Sequence, residues 1–268
     1  MLQEGEVLSD SVNVLSFFRR GLGRFFPEHL GRAITEEIFR RQWASHSLGT
    51  LSMPESVRVL FLWIPKTGGS ALAAWLRRSN GIAELLNVPR IITFDQSPGP
   101  VGAVTFGHQS MASLVRAGIL SMEGLSGLQQ ISLVRNPYAR AISSWQYLQK
   151  MGFVRGSETL LDFLKMLCAR PPRIGLYNQF GLSLACKQSD WLVDENLPFS
   201  SRILRLEEVG TWERKVAEEF GLVGRFPAKN RSALDSSKVN LTQQEKLLIE
   251  KLYDKDFDFL GYPRTLTK

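Results

Sequence analysis

The chain has 268 residues, 44% of them hydrophobic, enough for one large α/β domain with a buried core. Its formal net charge of +7 points to an anionic partner. With no zinc-finger spacing, RNP-like motif or sustained basic run, a nucleotide, an acidic glycan or an anionic lipid surface fits that charge better than nucleic acid.

Residues 1–50 differ in texture from the rest. Val12, Leu15, Phe18 and Leu22, with Phe25 and Phe26, form an apolar stripe interleaved with Arg19, Arg20 and Arg24. An amphipathic helix in peripheral contact with a membrane or a partner has this pattern. A helical arm packed on the main domain has it too, and is preferred because apolar faces usually find protein. A second helix is predicted over 32–46, with Ile34, Ile38 and Trp43 facing inward. The chain is thus divided into an N-terminal helical arm, 1–50, and an α/β domain, 51–268. No run of about 20 apolar residues is present, so no transmembrane helix is expected. The N-terminus lacks a basic start followed by an apolar core. Cys168 and Cys186 do not make a disulfide framework, which favours a reduced compartment. The expected location is cytoplasmic, membrane-associated if the arm lies on lipid.

Residues 57–79, VRVLFLWIPKTGGSALAAWLRRS, organise the domain. Val57 and the run Val59–Ile64 read as a strand covered on both faces, the setting a parallel sheet provides. Pro65 ends it, since it cannot donate to a ladder. After Lys66-Thr67-Gly68-Gly69-Ser70 the pattern turns helical, with Leu72, Trp75 and Leu76 on one face and Arg77 and Arg78 near the end. Such a turn offers main-chain N–H groups at a helix N-terminus. Two glycines let the backbone approach an anion, and Lys66 with the Thr67 and Ser70 hydroxyls adds donors, making a phosphate cradle. An ordinary strand-to-helix turn with a surface lysine is the plainer reading of Gly-Gly alone. Lys66 precedes the glycines, so this is not a Walker A loop, which argues against an ordinary ATP or GTP hydrolase.

Strands are next predicted at Arg90–Phe94 and Val101–Phe106, with Gly107-His108-Gln109 at the end of the latter. Ligands of open α/β sheets sit outside the carboxyl ends of strands. His108 is therefore placed where a general base would act, although a histidine after a strand is more often structural. Leu128–Val134 is another strand, ended by Arg135-Asn136-Pro137, and a helix follows over Tyr138–Lys150 with Ala141, Ile142, Trp145 and Leu148 on one face. Arg135 and Ser143 can reach one phosphate if the helix N-terminus folds back beside the strand end. Otherwise Arg135 is an ion-pair partner and Ser143 faces solvent.

Further on, a helix is predicted over Glu158–Cys168 with Leu160, Leu161, Leu164 and Leu167 inward, then an irregular stretch, Gly181–Asn196. A late strand, Arg202–Leu206, leads through Glu207 and Glu208 into a helix, Thr211–Phe220. The two glutamates read as a solvated strand end rather than a paired acid site. Lys229-Asn230-Arg231-Ser232 lies in a loop, and Thr242-Gln243-Gln244-Glu245 is a capping box for the final helix. Tyr253, Phe257, Phe259 and Tyr262 read as packing residues.

The segment I-P-K-T-G-G-S at 64–70 resembles the 5′-phosphosulfate loop of sulfotransferases that use 3′-phosphoadenosine-5′-phosphosulfate (PAPS), most of all the carbohydrate sulfotransferase branch. L-V-R-N-P-Y-A-R-A-I-S-S-W at 133–145 resembles the family's 3′-phosphate motif, including the Arg-to-Ser spacing. The loop with Arg231 and Ser232 resembles the late basic loop that closes over the nucleotide, and the ending from Tyr253 to Tyr262 resembles the family terminus. The matches span roughly residues 58–262, with the middle third thinly covered.

The resemblance implies a P-loop-like α/β domain with a mainly parallel central sheet flanked by helices. It implies PAPS as sulfonate donor, no metal, and a hydroxyl-bearing acceptor, a glycan or glycolipid. Pro65, Lys66, Thr67, Gly68, Gly69, Ser70 and Ala71 would hold the 5′-phosphosulfate, with Lys66 on the departing oxygen. Arg135 and Ser143 would hold the 3′-phosphate, Arg231 and Ser232 would close over the nucleotide, and His108 would be the base. The alternatives are a phosphoryl transferase of the P-loop kinase type, which needs Mg²⁺ and a carboxylate to hold it, and a non-enzymatic nucleotide or membrane-surface binding module.

Overall fold

The computed structural model describes residues 58–79, 82–84, 102–116, 122–174, 182–193, 201–227 and 240–265. The arm expected over 1–50, the strand expected at Arg90–Phe94, and Arg231 with Ser232 lie outside the described residues.

Among the described residues five strands form one sheet: β1 (Val59–Leu62), β2 (Ile82–Glu84), β3 (Ala103–Thr105), β4 (Gln129–Val134) and β5 (Ser201–Arg205). Their order is β2-β3-β1-β4-β5, and every neighbouring pair is parallel. The helices are α1 (Gly69–Arg78), α2 (Met111–Arg116), α3 (Met122–Ser126), α4 (Pro137–Lys150), α5 (Leu160–Ala169), α6 (Ser189–Leu192), α7 (Val209–Phe220), α8 (Gln243–Leu252) and α9 (Asp254–Leu260). The fold is the parallel α/β class expected. Among the described residues no helix is long and apolar enough to cross a membrane.

Val59 and Phe61 of β1, Ile131 and Leu133 of β4 and Leu204 of β5 form one core cluster with Leu72, Trp75 and Leu76 of α1 and Trp212, Val216 and Phe220 of α7. Leu60 and Leu62, on the alternate pleat, are as deeply buried, so both faces of β1 are covered. The far end of α1 is tied down by polar contacts. Trp75 Nε1 donates to the carbonyls of Val223 (3.2 Å) and Gly224 (3.0 Å), and the Val223 N–H donates to Ser79 Oγ at 2.8 Å.

Pro137 stands in the first turn of α4, as its missing N–H predicts, and the Asn136 side chain caps the helix by accepting from the N–H groups of Tyr138 and Ala139. Several boundaries differ from expectation for local reasons. The helix expected from Glu158 starts at Leu160, where Thr159 and Asp162 form a capping box; Phe163 is buried and Leu161 only partly so. The Thr242–Glu245 capping box is present, but the chain breaks at Tyr253 and a further helix, α9, follows. Tyr253, Phe257 and Tyr262 are packed as expected, whereas Phe259 is 40% exposed. β2 was not anticipated: Ile-Ala-Glu carries no strand signal of its own and exists through pairing with β3. The stretch expected to be irregular around 181–196 holds a 3₁₀ turn, Leu182–Ala185, and α6, with Leu184, Cys186 and Trp191 buried.

Trp75→Phe removes the donor to the 223–224 carbonyls together with part of a fully buried ring. The expected loss is about 1–3 kcal/mol, read as a fall of several degrees in Tm by thermal denaturation. An unchanged Tm would show that the indole N–H contributes nothing.

Candidate active site

Because the five described strands are parallel, the turns that follow β1, β3 and β4 open at the same end of the sheet, and β1 lies between the other two. The cradle after β1 is thus flanked by His108 after β3 and Arg135 after β4. This is the topological switch point, since the chain leaves β1 towards β3 and later returns on its other side to form β4.

The cradle is a tight turn over Pro65–Gly68 running into α1. Lys66 has φ 67, the one positive φ outside glycine among the described residues. A left-handed lysine costs of order 1 kcal/mol or more, and such strain is characteristic of functional turns. Gly68 has φ 90 and so supplies the left-handed residue that caps α1. Gly69 serves packing: a Cβ there would lie 2.3 Å from the Trp63 indole. The glycines were expected to let the chain approach an anion, and Gly69 also makes room for a tryptophan.

Two of the expected donors are engaged inside the turn. The Thr67 hydroxyl donates to the Ile64 carbonyl at 2.9 Å, in a fully buried position, and the Ala71 N–H donates to the Gly68 carbonyl at 2.8 Å. In this structure the Thr67 hydroxyl and the Ala71 N–H thus satisfy acceptors of the turn itself, because a short turn closes only by satisfying its own polar groups. Ser70 is exposed at the first turn of α1, where N–H groups have no intrahelical acceptor.

Lys66 is half-buried, with Nζ 3.9 Å from the centroid of the Tyr147 ring. Its pKa is pushed down to about 8, first by burial and then by the positive charges of Arg135, Arg140 and Lys150. Four cations therefore converge around the cradle. Arg140 is 1% exposed and donates through Nε to the Pro65 carbonyl (3.0 Å), through Nη1 to Cys186 (2.7 Å) and through Nη2 to Leu184 (3.1 Å). It anchors the cradle while adding to its positive field, a role that residue spacing did not disclose.

His108 shares a 2.8 Å hydrogen bond between Nδ1 and the Trp63 carbonyl. Since a carbonyl only accepts, Nδ1 carries the proton and Nε2 is the basic nitrogen. The ring stands edge-on to Trp63 at 5.4 Å and to Trp191 at 6.5 Å. Burial chiefly, with the charges of Lys66 and Arg140, lowers its pKa to about 4, partly offset by the Trp63 bond, so the imidazole is neutral at ordinary pH.

Arg135 follows the last paired residue of β4. Its N–H donates to Gln188 Oε1, and Gln188 Nε2 donates to its carbonyl, both at 2.8 Å. Ser143 is buried on α4 rather than solvent-facing, 7% exposed. Glu207 is a clamp: its carboxylate accepts the Asn136 N–H at 2.7 Å and the Tyr262 hydroxyl at 3.0 Å. Gln188, Asp256 and Glu207 all act through long-range contacts with main-chain atoms, which leave no motif in sequence.

No protein-family model matches the chain, and no curated protein matches it. Among solved structures the chain is similar to a mouse sulfotransferase, SULT7A1, complexed with PAP. Identity is 16%, the TM-score is 0.43, and the match spans 78% of this chain and 66% of that one.

Lys66 is held charged in a desolvated site among like charges, so its ammonium opposes folding. Lys66→Met should raise Tm by roughly 2–4 °C at pH 7, read by thermal denaturation. A lowered Tm would mean that the Tyr147 contact outweighs the repulsion.

Proposed function

We propose that the chain transfers a sulfonate group from PAPS to a hydroxyl of a carbohydrate or glycolipid acceptor. The observation that carries this reading is the gathering of Lys66, Arg135, Arg140 and Lys150 beside a glycine turn, with a neutral His108 on the adjoining strand end. The two motifs that resemble the family's phosphate-binding segments sit on neighbouring strands of one sheet. The division into an arm over 1–50 and a transferase domain over 51–268 belongs to the same proposal.

In this reading the N–H groups of residues 67–70 and the Lys66 ammonium hold the 5′-phosphosulfate, and Arg135 with Ser143 holds the 3′-phosphate. Arg231 and Ser232 close over the nucleotide. The acceptor oxygen attacks sulfur, the bond from sulfur to the bridging phosphate oxygen breaks, and the acceptor proton passes to His108 Nε2. Lys66 stabilises the charge that develops on the bridging oxygen, so positioning and electrostatics supply most of the acceleration. Burial first, and then three positive charges, lower the Lys66 pKa, and an arriving anion raises it again. A phosphoryl transferase would need a carboxylate to hold Mg²⁺, and the strand ends flanking the cradle carry His108 and Arg135 instead.

The test is incubation with labelled PAPS and a panel of glycans and glycolipids, followed by mass analysis for a sulfonate adduct, with ATP and Mg²⁺ as the control donor. Lys66→Ala should lower kcat by about 100-fold or more; an unaffected rate removes Lys66 from the mechanism. Transfer from ATP alone would overturn the donor assignment.

The pH dependence follows from the two shifted groups. Binding of the donor favours protonated Lys66, so kcat/KM should decline as pH rises through about 8. Neutral His108 is the competent form, and its acid limb should lie near 4 instead of near the ordinary histidine value. An acid limb close to pH 6.5 would place the base in a more solvated position.

A further inference from the structure

Arg135 stands where β4 loses its ladder, since the last paired residues are Val134 and Arg205. Its main-chain N–H and C=O would ordinarily turn to water or to a neighbouring strand. Both are instead taken by one side-chain amide, that of Gln188, at 2.8 Å in each direction. The donor and acceptor ends of that amide are fixed by the partners, because a carbonyl cannot donate. The amide stands in for a missing strand and fixes the two peptide planes on either side of the Arg135 Cα.

Gln188 is itself held. It is fully buried, its N–H donates to Asp256 Oδ2, and the Ser189 N–H donates to Asp256 Oδ1, both at 2.8 Å. Asp256 is fully buried on α9, near the C-terminal end of the described chain. On the other side, Glu207 accepts the N–H of Asn136. The backbone that carries Arg135 is therefore clamped from two distant segments. The same short stretch brings Trp191 against His108. A surface arginine used only for solubility needs no such bracing, whereas an arginine that must meet a planar anion within a few tenths of an ångström does.

We propose that Gln188, held by Asp256, is a positioning residue that aims Arg135 at the 3′-phosphate and so sets the discrimination between nucleotides that carry this group and those that lack it. This rests on the nucleotide reading given under Proposed function.

The test compares calorimetric affinities of the full chain for adenosine 3′,5′-bisphosphate and adenosine 5′-monophosphate. Wild type is expected to prefer the bisphosphate. Gln188→Met, similar in length but unable to pair with the backbone, should weaken bisphosphate binding about tenfold, the scale of one misaligned charge-assisted hydrogen bond, and leave monophosphate binding unchanged. In an Arg135→Ala background the same substitution should have no further effect, because the amide acts only through Arg135. Should Gln188→Met fail to fold, Asp256→Asn, which loosens the anchor and leaves the amide in place, should give the same pattern at smaller amplitude. Equal loss for both nucleotides, or equal loss with and without Arg135, would reduce Gln188 to general support and overturn the proposal. A wild type that does not prefer the bisphosphate would overturn the nucleotide reading itself.

Discussion

The site depends on one buried guanidinium. Arg140 ties the Pro65 carbonyl of the cradle to the carbonyls of Leu184 and Cys186, three acceptors from two segments well separated in sequence. Burying a charge is costly unless its hydrogen bonds are met. Here they are met by carbonyl dipoles, which satisfy the donors without cancelling the positive charge. The result is a rigid cradle in which the charges of Arg135, Arg140 and Lys150 act on Lys66, while the Asp190 carboxyl lies close enough to Arg140 to feel its charge as well.

Those charges act on the neighbouring groups. Lys66 sits at a left-handed φ, partly desolvated and facing other cations, with its ammonium against Tyr147. His108 is kept neutral by burial and by the same charges. The Lys66 ammonium opposes folding at neutral pH, whereas the neutral His108 lowers stability only below the ordinary histidine pKa, where the unfolded chain takes up a proton that the folded one does not. Strain and like-charge crowding of this kind are characteristic of functional turns. Trp63 links the pieces: it fills the space left by Gly69, and its carbonyl fixes the His108 tautomer.

The C-terminal helices brace the site from behind. Asp256 on α9 holds Gln188, the Tyr253 hydroxyl donates to the Ala185 carbonyl at 3.0 Å, and the Tyr138 hydroxyl donates to the Glu250 carboxylate. The turn that feeds carbonyls to Arg140 is thus pinned by residues about 70 positions further along the chain. Tyr253 and Asp256 hold the segment that contacts Arg135 and Arg140.

The sequence by itself determined the local pieces. The apolar run before Pro65, the Asn136-Pro137 start and the Thr242–Glu245 capping box each act within a few residues, so their patterns are visible in one dimension. It also placed Lys66, His108 and Arg135 at strand ends, because an apolar stretch followed by polar residues marks where a buried strand emerges. It did not disclose that Arg140 is a buried staple, that Gln188 replaces a strand for Arg135, that Glu207 is a clamp, or that the Thr67 hydroxyl closes its own turn. These roles consist of contacts between main-chain atoms and side chains from remote segments. Any polar side chain of suitable length can make them, so no residue pattern marks them. Only the strand order, which sets β3 and β4 on either side of β1, decided which remote segments would meet.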